Sequence, residues 1–186
     1  MKDLLVHDRR LLGSTAPGNY AHFDVDQTTP LTYFVSRTLQ EASAYHDEIR
    51  LLIFAHGYEA PGLGGGFGIQ FCRDDLTLDT MGALSPLRGH IGGGILLFSC
   101  ATAHIAPGSA ARGGSGDGNI FCSRMAQITG TTVTAGTMEQ TNLVFCINKH
   151  LKIVSYLPWR GTVLTYGPSG AVLSVHDYPT EIRITE

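Results

Sequence analysis

A chain of 186 residues with 43% apolar side chains has the length of roughly one domain and can bury about two-thirds of its unfolded surface without a staple. A formal charge of −3 with no run of Lys or Arg excludes an electrostatic footing on nucleic acid or an anionic membrane. The charged opening M-K-D-L-L-V-H-D-R-R has no apolar core of signal-peptide length, and no stretch approaches the roughly 18 apolar residues of a membrane span. The expected location is cytoplasmic, with delivery elsewhere left open. Cys72, Cys100, Cys122 and Cys146 form no C-x-x-C pair, which speaks against a zinc knuckle or a thioredoxin-like motif. Reduced thiols are the default in such a chain, and no metal or cofactor is expected.

Thr28-Thr29-Pro30 offers a cap followed by proline in a first turn. Leu31, Phe34, Val35, Leu39 and Ala42 then recur near a period of 3.6, predicting an amphipathic helix over 30–47. Arg50 to Ala55 reads as a short strand whose unbroken apolarity implies burial on both faces, as in a mostly parallel sheet. P-G-L-G-G-G-F-G, from Pro61 to Gly68, must be a loop, and G-I-Q-F-C-R-D-D-L looks like half a hairpin. Leu78 to Leu87 is a candidate helix, Ile95 to Ser99 a second buried strand, Asn119 to Thr129 a helix and T-T-V-T-A-G-T a third strand. L-K-I-V-S-Y-L and G-T-V-L-T-Y-G-P-S-G-A-V-L-S-V alternate and turn on Gly-Pro-Ser-Gly, a hairpin signal. Trp159 reads as a packing residue. The order of helices and strands predicts an α/β domain, with the last strands added antiparallel at an edge.

In open α/β sheets, ligands bind outside the carboxyl ends of the strands. His56 and Cys100 each follow the end of a predicted buried strand, so parallel neighbours would bring both side chains to one edge. Read singly, His56 is a surface histidine and Cys100 a packing thiol. Together they are what nucleophilic catalysis by a thiol needs, a sulfur and an imidazole held close. Gly57, with no side chain, lets a backbone N–H approach a substrate carbonyl.

The segment from Ile49 to Thr137 resembles the caspase-like cysteine peptidases of clan CD, in particular their bacterial members. The carrying motifs are L-L-I-F-A-H-G and I-L-L-F-S-C, followed by G-D-G-N-I-F-C-S-R-M-A-Q-I-T-G-T-T-V-T-A. The resemblance implies one caspase-like domain over 1–186, a mostly parallel sheet flanked by helices with an antiparallel C-terminal hairpin. It makes Cys100 the nucleophile, His56 the general base and acid, and the N–H groups of Gly57 and Cys100 the oxyanion hole. The substrate is then a polypeptide. Caspases carry Gln-Ala-Cys-x-Gly, whereas this chain has Phe98-Ser99-Cys100-Ala101-Thr102, so aspartate specificity is not implied. Glu59, Ser99 and His104 are candidates for contacting substrate.

Two other readings compete. One is an inactive caspase-like module that binds or regulates. The other is an α/β-hydrolase, which needs G-x-S-x-G or G-x-C-x-G at its nucleophile and finds neither at Ser99 or Cys100. The loop from Ile105 to Gly118 is too poor in apolar side chains to offset its ordering entropy. It is expected to be flexible, to gate the cleft and to be nicked after Arg112.

Overall fold

A computed structural model describes residues 1–11, 14–15, 21–140, 143–147, 151–155 and 159–180, the backbone alone for 14–15, 143–147 and 151–155. Seven strands form the main sheet: β1 Lys2–Asp8, β2 Ala21–Val25, β3 Ile49–Phe54, β4 Ile95–Phe98, β5 Val133–Gly136, β6 Gly161–Tyr166 and β7 Val172–Tyr178. Their spatial order is β7-β6-β5-β4-β3-β1-β2. Strands β1 to β5 run parallel, whereas β6 lies antiparallel to both β5 and β7. Two α-helices, α1 Leu31–Ala44 and α2 Gly118–Thr129, and a 3-10 segment Met81–Leu87 accompany the sheet. A small sheet joins Leu143–Ile147 antiparallel to Leu151–Ser155, with Ser14–Thr15 beside the latter. Among the described residues no helix is long and apolar enough to cross a membrane.

The apolar strands do not alternate because both faces of the sheet are covered by apolar groups. On one face, Leu4, Leu51, Ile95 and Val133 stand in register, and so do Val6, Ile53, Leu97 and Ala135. They join Leu31, Phe34 and Val35 of α1, Met81, Leu84 and Leu87, and Phe121, Met125 and Ala126 of α2 in one core. Burying each such large side chain contributes about 1.5–3 kcal/mol. The opposite face carries Leu5, Leu52 and Phe54, with Leu11, Leu96 and Phe98 against them. There Phe54 stacks on Phe98 at 4.8 Å and Trp159 stacks on Phe98 at 4.6 Å. The packing role expected of Trp159 is met, and its partner holds the strand that leads to Cys100.

Several local expectations shift. The helix entered at residues 28–30 has no side-chain cap, since Pro30 itself occupies the cap position. Asp26 organises the turn instead, accepting from the backbone and hydroxyls of Thr28 and Thr29. The Thr28 hydroxyl, above the other donors, holds the Asp26 carboxyl below its usual range. The helix expected over Leu78–Leu87 shrinks to 3-10 turns, with Gly82 and Pro86 inside them, because both residues disfavour an α-helical interior. The C-terminal hairpin forms as expected, closed by Gly167 N–H to Ala171 O and Gly170 N–H to Gly167 O. Tyr156 and Leu157, read as the end of a strand, lie outside the described residues.

The segment 105–118 departs most from expectation. It folds on itself through bonds such as Ala106 N–H to Gly116 O at 2.7 Å, Gly114 N–H to Ser109 O at 3.0 Å and Gly118 N–H to His104 O at 2.7 Å. Arg112 donates to Pro107 O and Ser115 O and lies 5.5 Å from the Phe67 ring centre. Asp117 caps α2 through Asn119 N–H and Ile120 N–H, worth about 1 kcal/mol. Composition alone undervalued backbone hydrogen bonds and a cap as sources of order.

Candidate active site

Strand β3 ends at Phe54 and β4 at Phe98, and these two residues are paired in parallel register. Two residues beyond each stand His56 and Cys100, so the register itself carries both to the carboxyl edge of the sheet. Open α/β sheets bind ligands in crevices outside the carboxyl ends of their strands. One opens here, about 360 Å³ in volume and lined by His56, Gly57, Glu59, Gln70 and Cys100.

His56 is exposed, and it and Gly57 pair antiparallel with Ile69–Gln70. Its Nε2 lies 3.1 Å from the backbone oxygen of Arg10. A carbonyl oxygen only accepts, so in the neutral ring Nε2 carries the hydrogen and Nδ1 keeps its lone pair.

Gly57 presses on the backbone of Cys100: a Cβ at residue 57 would fall 2.0 Å from the Cys100 carbonyl oxygen. The close approach, not a special dihedral, requires glycine here. It seats the Gly57 backbone against the peptide unit that joins Cys100 to Ala101.

Cys100 is half-buried, and its thiol donates to the backbone oxygen of Gln140 at 3.5 Å. Burial raises its pKa above the ordinary thiol value, the hydrogen bond to Gln140 lowers it in part, and the charges of Glu139 and Glu59 raise it further. The next residue, Ala101, has φ +48°, a left-handed conformation that costs an alanine on the order of 1–3 kcal/mol. The turn is held in place by Ala101 N–H to Met138 O at 2.8 Å and Ala103 N–H to Gly136 O at 2.9 Å. It is packed from outside by Gly65, where a Cβ would come within 2.6 Å of Ala101. A turn held this firmly fixes the backbone just past Cys100.

Of the other expected contact residues, Glu59 lines the cleft. Ser99 does not: it is 2% exposed, and its hydroxyl is 2.6 Å from that of Thr102. Parity explains the correction, since neighbours along a strand end point to opposite sides. His104 is also displaced from the cleft, with its Nε2 3.4 Å from where a Cβ on Gly64 would sit. It packs under the glycine loop. No residue of 105–118 lines the cleft either, so the gating expectation has no geometric basis. Arg112, Gly113, Ser115 and Gly116 instead line a separate cavity of about 360 Å³ with Tyr58 and Phe67. Among the described residues no group of three or more His, Cys, Asp or Glu side chains could hold a metal ion.

Gln70 and Gln140 were not anticipated. Gln140 lies past the end of β5 and meets Cys100 through its backbone oxygen, which no side-chain pattern marks. Gln70 reaches the cleft by pairing with His56 across a long loop, which no local pattern announces.

Comparison with protein-family models, with curated proteins and with solved structures finds no match.

Geometry orders the thiols by reactivity. Cys72 and Cys122 are both 0% exposed, with the Cys72 thiol pushed up to about 12, chiefly by burial, and the Cys122 thiol also raised by burial. Iodoacetamide should therefore modify Cys100 well before either, as read by peptide mapping. Because the Cys100 pKa is raised, its thiolate is a minority at neutral pH and grows about tenfold per pH unit. The alkylation rate should keep climbing past the ordinary thiol range of about 8.5. A rate flat between pH 6 and 8 would instead reveal a thiolate already formed.

Proposed function

We propose that the protein is a cysteine peptidase of caspase-like fold, in which Cys100 attacks a peptide carbonyl and His56 manages the proton. The observation that carries this reading is the convergence of His56, Gly57 and Cys100, from two separate strand ends, on one cleft. The parallel sheet with an antiparallel hairpin at one edge agrees with the same reading.

With the Cys100 thiol neutral, the step that fits is concerted. Nδ1 of His56 takes the thiol proton as sulfur bonds to the carbonyl carbon. The electron pair displaced from the carbonyl rests on its oxygen, facing the N–H groups of Gly57 and Cys100. Collapse breaks the C–N bond, and the imidazolium returns its proton to the leaving amine. Water, deprotonated by the same imidazole, then adds to the thioester carbonyl; the C–S bond breaks, the acid leaves and the imidazolium returns its proton to the Cys100 sulfur.

A second reading has its own observation. The Cys100 thiol is bonded to a backbone carbonyl and its pKa is raised, which suits a domain that binds peptide in this cleft without cutting it.

A peptide library incubated with the protein and sequenced by mass spectrometry separates the two. Cleavage at a recurring sequence position supports the peptidase. A library recovered uncut, with peptides enriched on the immobilised protein, supports the binding module.

A further inference from the structure

We infer that Asp8 and Arg10 are positioning residues that fix the tautomer and aim of the His56 ring, an inference that rests on the peptidase reading of the site. Strand β1 ends on Asp8 beside β3, and this carboxylate is completely buried, at 0% exposure. Its Oδ1 accepts from the Arg10 backbone N–H at 3.0 Å and from Arg10 Nε at 2.9 Å. Its Oδ2 accepts from Arg10 Nη2 at 2.8 Å and from Cys72 N–H at 3.0 Å. Arg10 reaches further, with Nη1 to Asp75 Oδ1 at 3.1 Å and Nη2 to the Cys72 carbonyl at 2.8 Å.

The far side of this clamp is rigid as well. Cys72 and Asp75 both adopt positive φ, +59° and +50°, and Asp75 Oδ1 also accepts from Phe71 N–H. Residue 10 is thus tied through its side chain and its own N–H, and the next peptide plane, which carries its carbonyl, is held by Leu11 N–H to Asp8 O at 2.9 Å. That carbonyl is the group that meets His56 Nε2. No other hydrogen bond to the His56 ring is made among the described residues, so Nδ1 is left for the thiol proton.

Burying a carboxylate is costly even when it is paired, and apolar replacements of buried ion pairs are often more stable. A clamp that served stability alone would have a cheaper solution. One that must hold a carbonyl at a fixed point beside a base needs the bidentate geometry an arginine fork supplies.

Arg10→Gln removes the fork, and Arg10→Lys restores charge without it. In the wild type, nitrogen-15 spectra of the His56 ring should show the hydrogen on Nε2. Arg10→Gln should show a mixture of tautomers, and Arg10→Lys should recover the wild-type pattern only in part. If peptide is cut, Arg10→Gln should lower kcat on the order of tenfold, the scale on which partners orienting a functional imidazole act, while KM stays within about twofold. Should Arg10→Gln not fold, Asp75→Asn keeps the acceptor for Phe71 N–H while weakening the outer arm, and should show the same shift in smaller measure. An unchanged tautomer in the folded variants overturns the inference, whether or not peptide is cut. A shifted tautomer in a protein that cuts no peptide would leave the clamp standing and remove the peptidase reading.

Discussion

Cys100→Ala and His56→Ala should each lower peptide cleavage by at least about 10³-fold while the unfolding midpoint stays near that of the wild type. Neither side chain belongs to the apolar core: His56 is exposed and Cys100 half-buried at the cleft. Truncating them opens no sealed cavity, so loss of activity would not be loss of fold. The magnitude follows from removing a nucleophile outright, or the group that takes its proton, each worth several powers of ten. The two act as one unit, so the double variant should be no worse than either single one. Progress curves on a peptide found to be cut, with chemical denaturation in parallel, check this. Near wild-type turnover in either variant removes that residue from the chemistry.

Gly57→Ala should damage the site almost as severely for a different reason. The added methyl would sit 2.0 Å from the Cys100 carbonyl oxygen and 2.9 Å from its carbon. Both atoms are backbone, so one of the two peptide units must move. The movement displaces the backbone at Cys100, and with it the proposed oxyanion-hole N–H groups, relative to His56. Losing one such donor costs about 10²–10³ in kcat, and a shift near 1 Å at a reacting centre costs about 10²-fold. We expect kcat to fall by at least about 100-fold, with a loss of about 1–3 kcal/mol in stability from the forced backbone shift. Gly82→Ala is the control, since a Cβ there meets nothing within 4 Å. It should leave kcat unchanged. Equal behaviour of the two variants would mean that the contact at residue 57 does not shape the site.

How much of this was legible in the sequence depends on how local each signal was. The strands Ile49–Phe54 and Ile95–Phe98 and helix α1 announced themselves through unbroken apolarity and a period near 3.6. From them the strand-end rule reached His56 and Cys100 directly. Strand β1 was invisible for a physical reason: K-D-L-L-V-H-D reads as charged, yet His7 is 2% and Asp8 0% exposed. Asp8 is buried only because Arg10, close by in the chain, and Cys72, far along it, compensate it, and the second contact leaves no local signal. Ser99 was misassigned because the face on which a side chain falls at a strand end depends on register. The order of 105–118 comes from backbone bonds and from Arg112 against Phe67, neither of which composition records.

The most direct measurement of the account is covalent capture by a peptidyl fluoromethyl ketone, read by intact mass and peptide mapping. It asks at once whether the cleft accepts a peptide, whether the sulfur there is the nucleophile, and whether His56 activates it. The account predicts a single adduct on Cys100 in the wild type, formed far more slowly in His56→Ala and absent in Cys100→Ala. No adduct on Cys100, or labelling of Cys100→Ala at the wild-type rate, would contradict it.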